Sequence, residues 1–125
     1  MIKDSGSRTK YETGAVRDCS VGKGRFDLIP IEPLFRVARH YEDGQVKYPP
    51  PEGEINTGEQ NWKKGIPLCS YFNSAIRHIH RAMRNEVDED HLAAAVWNIL
   101  CAMETERRIE KDILPQELDN RDVEQ

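Results

Sequence analysis

Apolar residues recur at helical spacing in three stretches of the chain. In the first, Leu34, Val37, Ala38 and Tyr41 follow the i, i+3, i+4, i+7 rule and predict a helix over 32–47. Pro30 and Pro33 suit its start, and Gly44 weakens its end. In the second, Phe72, Ala75, Ile76, Ile79 and Met83 predict a helix over 68–84, with Ser70 as a candidate cap. Its polar face carries Asn73, Arg77, His80, Arg81 and Arg84. The third predicted helix runs from Asp88, whose carboxylate favours a helix N-terminus, to about Ile113. Its middle, Leu92–Met103, is apolar on almost every side, so it should be central to the fold. Glycine and proline gather in 1–30 and 49–67, and no long alternating run predicts a strand. The stretch 48–67 reads as a long loop. The expectation is a single all-α domain over 1–125, a helical bundle with long N-terminal and 48–67 loops and loose ends at 1–10 and 115–125.

Composition changes this picture in one respect. Only 38% of the 125 residues are hydrophobic, and the mean hydropathy is −0.74. A core so thin predicts a bundle completed by oligomerisation, as a homo-oligomer (dimer or tetramer). No run of 18 apolar residues exists, which argues against a membrane span, and the N-terminus has no apolar signal region. Cys19, Cys69 and Cys101 are too few for a disulfide framework, so a reducing, cytoplasmic setting is expected. Twenty-two acids against 18 Lys and Arg give a net charge of −4, which makes nucleic acid an unlikely general partner.

Several polar residues stand where helix faces should be buried. His91 and Asn98 lie seven apart on one face, with Ala94 and Ala95 between them. The small residues leave room for a ligand or for a tight helix contact. Glu86, Asp88, Glu89 and Asp90 cluster at the head of the same helix. They are either oxygen ligands for a hard cation or ordinary N-terminal charge. His78 sits at the edge of an apolar stripe, as a core histidine or a ligand. Arg77 is a candidate phosphate contact or part of a solvated face. Near the N-terminus, Gly14, Gly22 and Gly24 lie among Arg17, Asp18, Lys23 and Arg25. Gly-rich backbone with cations can cradle a polyphosphate, although no Walker A loop is present; a basic tail is the alternative. In Asn61-Trp62-Lys63-Lys64-Gly65, Trp62 offers a face to a base and Asn61 an amide to its edge. Trp62 could equally anchor the loop.

Taken in order, YETGAVRD (11–18), GKGRFDLIP (22–30), KY (47–48), NWKKG (61–65), RH (77–78) and HLAAAVWN (91–98) form a specific set. The set resembles the dATP/dGTP diphosphohydrolase N-terminal domain family. It is also similar to the phage MazZ-type members of the MazG-like all-α NTP pyrophosphatase superfamily. The resemblance implies hydrolysis of a purine (deoxy)nucleoside triphosphate, dGTP or GTP above all, to the monophosphate and pyrophosphate. It implies Mg²⁺ or Mn²⁺ as cofactor, an oligomer, and a phage-infected bacterial cytoplasm. The superfamily's EExxE and ExxD metal motifs are absent here. Under the resemblance, Glu32, Glu86, Asp88 and Asp90 hold the metal, or the substrate phosphates do. Arg17, Asp18, Lys23, Arg25, Lys47 and Arg77 then contact substrate. Glu86 or Glu32 orients the water, and His78, His91 and Asn98 support the metal or touch the sugar. Two other readings are a helical regulator contacting nucleic acid through the 77–84 face, and a non-catalytic nucleotide binder.

Overall fold

The computed structural model describes residues 1–50 and 61–122, and the part of the predicted loop at 51–60 lies outside the described residues. The chain divides into two compact units, Met1–Pro30 and Ile31–Gln125. The fold is all-α, apart from one small ribbon.

That ribbon belongs to the N-terminal unit and corrects the expectation of no strand. β1 (Arg8–Lys10) pairs antiparallel with β2 (Val16–Asp18), in the register Arg8 to Asp18. Its cause is the turn, because neither three-residue strand has an apolar face. The Tyr11 amide donates to the Ala15 carbonyl at 3.0 Å, and Gly14 adopts φ of +90°, which a side chain would resist. Asp18 draws the strand ends together by accepting from Arg8 at 3.3 Å and from the Ser5 hydroxyl. A short 3-10 turn, Phe26–Leu28, closes the unit.

The second unit holds α1 (Ile31–Lys47), α2 (Leu68–Met83) and α3 (His91–Glu110), with a 3-10 turn at Asn61–Lys64. α3 packs mainly on α2 and secondarily on α1. All three helices match the predicted elements to within three residues at each end. Two of the predicted caps differ. α2 begins after Pro67 with no side-chain cap, so Ser70 is not one. α3 is capped by Asp90 rather than begun at Asp88; the Asp90 carboxylate accepts from the Ala93 amide at 3.1 Å.

The core cluster gathers Trp62, Leu68, Tyr71, Cys101, Ala102 and Ile109, with Tyr41, Phe72, Trp97, Leu114 and Leu118 packed against it. Leu118 belongs to the segment expected to be loose. There a 3-10 turn (Gln116–Leu118) forms, and the Asn120 side chain accepts from the Cys69 amide at 3.0 Å. The three cysteines are free, as expected. Burial pushes the Cys101 thiol up to about 12, which keeps it protonated and unreactive.

α3 is not buried all round. His91, Ala94, Ala95, Asn98, Cys101, Ala102, Thr105 and Ile109 are buried, whereas Leu92, Val96, Ile99 and Met103 are exposed. On α2, Ile76, Ile79 and Met83 are exposed as well. Two helices, α1 and α2, cover only one side of α3, so the apolar residues of the other side stand in the open. Among the described residues, no helix is long and apolar enough to cross a membrane.

Candidate functional site

The site is positioned by how α2 ends. Asn85 adopts φ of +59°, the left-handed conformation that asparagine tolerates better than most residues. The Asn85 amide donates to the Ala82 carbonyl at 3.0 Å, and the Glu86 amide to the Arg81 carbonyl at 3.1 Å. This double bond pattern is a Schellman motif, which satisfies the last carbonyls and reverses the chain within a few residues. The reversal sets His78, near the end of α2, beside His91, at the start of α3.

The two Nδ1 atoms are 2.9 Å apart, and the rings lie 5.2 Å apart between centroids. The Glu89 carboxylate reaches toward both, 3.5 Å from His78 Nδ1 and 3.9 Å from His91 Nδ1. His91 is buried, and its Nε2 is 2.7 Å from a carboxylate oxygen of Asp88. This bond holds the Asp88 carboxyl below its usual range, so Asp88 is ionised and accepts from Nε2–H. His78 is lowered chiefly by burial, which favours the neutral ring over the imidazolium.

This cluster borders a cleft of about 1080 Å³ in the helical unit. Small-molecule sites commonly span about 300–1,000 Å³, so the space admits a nucleotide. Arg77, Arg81, Arg36, Arg39 and Lys47 line it along with Asp88, Glu89, Asp90 and His78, so cations and anions share its walls. Asn61, Trp62, Trp97 and Asn98 complete the lining.

The family described as dATP/dGTP diphosphohydrolase, N-terminal, matches residues 13–113. The chain belongs to that family. No curated protein and no solved structure matches it.

Within this dATP/dGTP diphosphohydrolase domain, the residues singled out from the sequence are distributed unevenly. His78, Asp88, Asp90, Arg77, Lys47, Asn61, Trp62 and Asn98 all border the cleft, and His91 stands behind His78. Arg77 is exposed and donates to the Ser74 hydroxyl at 2.8 Å. Lys47 rests over the Tyr48 ring, 5.3 Å from its centroid. Asn98 is 5% exposed and donates to the Ala94 carbonyl at 2.8 Å. Trp62 is 8% exposed and packs edge-on to Tyr41, so its burial fits the anchoring alternative better than open stacking on a base.

The four carboxylates expected around a metal do not converge. Asp90 is engaged by a two-pronged pair with Arg36, at 2.9 and 2.7 Å, besides its capping bond. Arg36 is also the main reason the Asp90 carboxyl lies below its usual range. Glu86 lies 3.6 Å from Arg84, and Glu32 stands exposed in the first turn of α1; neither borders the cleft. Among the described residues, the group of three donor side chains whose atoms lie within 4.8 Å of one another is His78, Glu89 and His91. Carboxylate oxygens alone therefore do not form a cage for a hard cation, whereas two imidazoles and one carboxylate form a convergent set.

In the N-terminal unit Asp18, Lys23, Arg25 and Asp27 are already paired. Asp18 accepts from Lys23 at 3.1 Å as well as from Arg8 and Ser5, and the Ser5 hydroxyl is the main reason its carboxyl falls to about 2. Arg25 pairs with Asp27 at 2.8 and 2.7 Å. Arg17 is exposed in β2, across from Thr9.

The sequence placed Glu89 among the candidate oxygen ligands but left it out of the ligand set implied by the resemblance, and Arg36, Arg39 and Arg81 were missed as cleft cations. For Glu89 the available signal was its place between two histidines, two positions before His91. For the arginines it was recurrence at 36 and 39 on α1, and at 81 four positions after Arg77 on α2.

Proposed function

We propose that this chain is a metal-dependent (deoxy)nucleoside triphosphate diphosphohydrolase of the MazG-like, phage MazZ type. Its substrate is dGTP or GTP, cleaved between the α and β phosphates to (d)GMP and pyrophosphate, in the cytoplasm of an infected bacterium. The observation that carries the reading is a cleft of nucleotide size lined by arginines and by an acid–imidazole cluster, in a chain of this family.

Each group of lining residues has a chemical task. A triphosphate is strongly anionic, and guanidinium groups bind its oxygens by paired hydrogen bonds. Arg77 and Arg81 fill that role, with Lys47 as a point charge. Asn61 and Asn98 supply amide groups toward the sugar or base edge. The carboxylates in the lining, Asp88 and Glu89, orient the attacking water or hold a cation. A divalent ion, when bound, neutralises charge developing on the phosphates and makes water a better nucleophile. Arg17, Lys23 and Arg25 of the N-terminal unit are phosphate contacts by their charge, and Lys23 and Arg25 must then leave Asp18 and Asp27.

The working form is a homo-oligomer. The exposed apolar stripes of α2 and α3 support this, since contiguous apolar surface on a helix usually meets a partner.

Incubation with each dNTP and GTP in turn, with Mg²⁺ or Mn²⁺, tests the assignment. Equal amounts of nucleoside monophosphate and pyrophosphate are expected, with dGTP or GTP turned over fastest. Release of orthophosphate would contradict α–β cleavage, and tight binding without turnover would make the chain a nucleotide-binding module.

A further inference from the structure

We infer that His78, Glu89 and His91 form a binding site for a divalent transition metal, in which two imidazole Nδ1 atoms and one carboxylate oxygen are the ligands. Its role in hydrolysis rests on the function proposed above; the site itself rests on geometry.

The first argument is a proton count. Asp88 accepts from His91 Nε2–H, and in the neutral ring with its proton on Nε2 the Nδ1 atom carries a bare lone pair. That lone pair faces His78 Nδ1 at 2.9 Å, and the Glu89 carboxylate faces both. Three acceptor atoms thus converge within 4.8 Å. If His78 Nδ1 carries a proton, that proton serves one neighbour well and leaves the other facing a lone pair. A single cation satisfies all three at once.

The second argument is ligand geometry. At metal–nitrogen bonds of about 2.0–2.1 Å, nitrogens 2.9 Å apart subtend about 90° at the ion. That is the angle between adjacent positions of an octahedron; a tetrahedral ion would spread them to about 3.3 Å. Imidazole nitrogen suits Co²⁺, Ni²⁺ and Zn²⁺, whereas Mg²⁺ takes oxygen and holds its water. The donor set therefore selects against Mg²⁺.

The third argument is support behind the ligands. Metal-bound histidines commonly donate their other ring N–H to a carboxylate, which orients the ring and strengthens the ligand. Asp88 stands in that relation to His91 at 2.7 Å. Asp88 is thus a positioning residue for the metal.

The test needs no nucleotide. Metal-free protein is titrated with Co²⁺, and separately with Mg²⁺, while the histidine ring resonances are followed by NMR. One equivalent of Co²⁺ should shift two imidazoles paramagnetically, in slow exchange, and Mg²⁺ at the same concentration should not displace it. His78→Gln and Glu89→Gln, both changed at positions outside the core, should each weaken Co²⁺ binding by about tenfold or more. Asp88→Asn should weaken it by about tenfold while leaving the metal-to-protein ratio at one. Circular dichroism and melting of the metal-free variants exclude loss of fold as the cause. Unmoved imidazole resonances, or unchanged affinity in folded His78→Gln and Glu89→Gln, would overturn the site and leave a simple hydrogen bond between the rings. Hydrolysis of dGTP by protein that binds no Co²⁺ there would overturn the site and spare the proposed activity. Specific Co²⁺ binding without hydrolysis of any nucleotide would uphold the site and remove the activity.

Discussion

The two ends of α3 are built differently. At its N-terminal end the buried face carries His91, Asn98 and three alanines, Ala93–Ala95, so polar groups sit inside with little bulk around them. At its C-terminal end the same face carries Cys101, Ala102, Thr105 and Ile109, closed over by Trp62, Leu68 and Tyr71. The first end has polar groups without bulk, and the second has bulk, with Trp62 Nε1 and Thr105 Oγ1 buried in it without hydrogen-bond partners. One helix can thus present a chemical group at a cleft because its other end is clamped, and damage to the two ends should be separable.

The largest effect is expected at the clamped end. Leu68 is 1% exposed, and Leu68→Ala should cost about 3 kcal/mol in urea unfolding. Nucleotide affinity at a temperature where the variant stays folded should not change; a large loss of affinity would mean that the ends are not separable.

Gly65 comes next, at φ of +120°, where an added Cβ would lie 2.9 Å from Leu118 Cδ1 and 3.4 Å from Leu114 Cδ2. Gly65→Ala should destabilise by about 2 kcal/mol, because backbone strain adds to the clash. A second change, Leu118→Ala, would relieve the clash and not the strain, so only partial recovery is expected.

Asp90→Ala acts at the site end. It removes the cap of α3 and the partner of Arg36, and should cost about 1 kcal/mol. Unlike Leu68→Ala, it should also alter nucleotide binding, since Arg36 then becomes a free cation in the cleft. Unaltered binding would place Arg36 outside the substrate contacts.

The smallest effect is a pH dependence of the clamped end. Arg107, then Arg108, hold the Glu104 carboxyl down at about 2, against an ordinary value of 4.5. Folding lowers this pKa, so the stabilisation is complete above about pH 4.5 and is lost as pH falls toward 2. Melting temperature should decline over that window, and Glu104→Gln should flatten part of the decline.

The helices were legible in the sequence because apolar spacing and Pro–Gly punctuation agree along 31–48 and 68–113. The ribbon was not, since its strands are three residues long and polar, held by a turn and by Asp18 rather than by a buried face. The site was half legible. His78 and His91 stood out as histidines on apolar faces, and both border the cluster. The choice among Asp88, Glu89 and Asp90 was not legible, because three neighbouring acids look alike in sequence. Their roles diverge only through direction: one meets His91, one points between two rings, and one turns back to Arg36 and the helix cap. That direction depends on a backbone reversal that composition does not encode. The exposed side of α3 was misread for a related reason, since an all-apolar helix does not say how many neighbours cover it.

The turn at Asn85 acts as a ruler. His78 and His91 are 13 positions apart and meet only because the intervening chain has one fixed length. One residue inserted into the last turn of α2, between His78 and Met83, would rotate His78 by about 100° relative to the turn at Asn85. The histidines would then face apart, although every residue of the cluster would still be present. The connection should accept changes of side chain far more readily than changes of length.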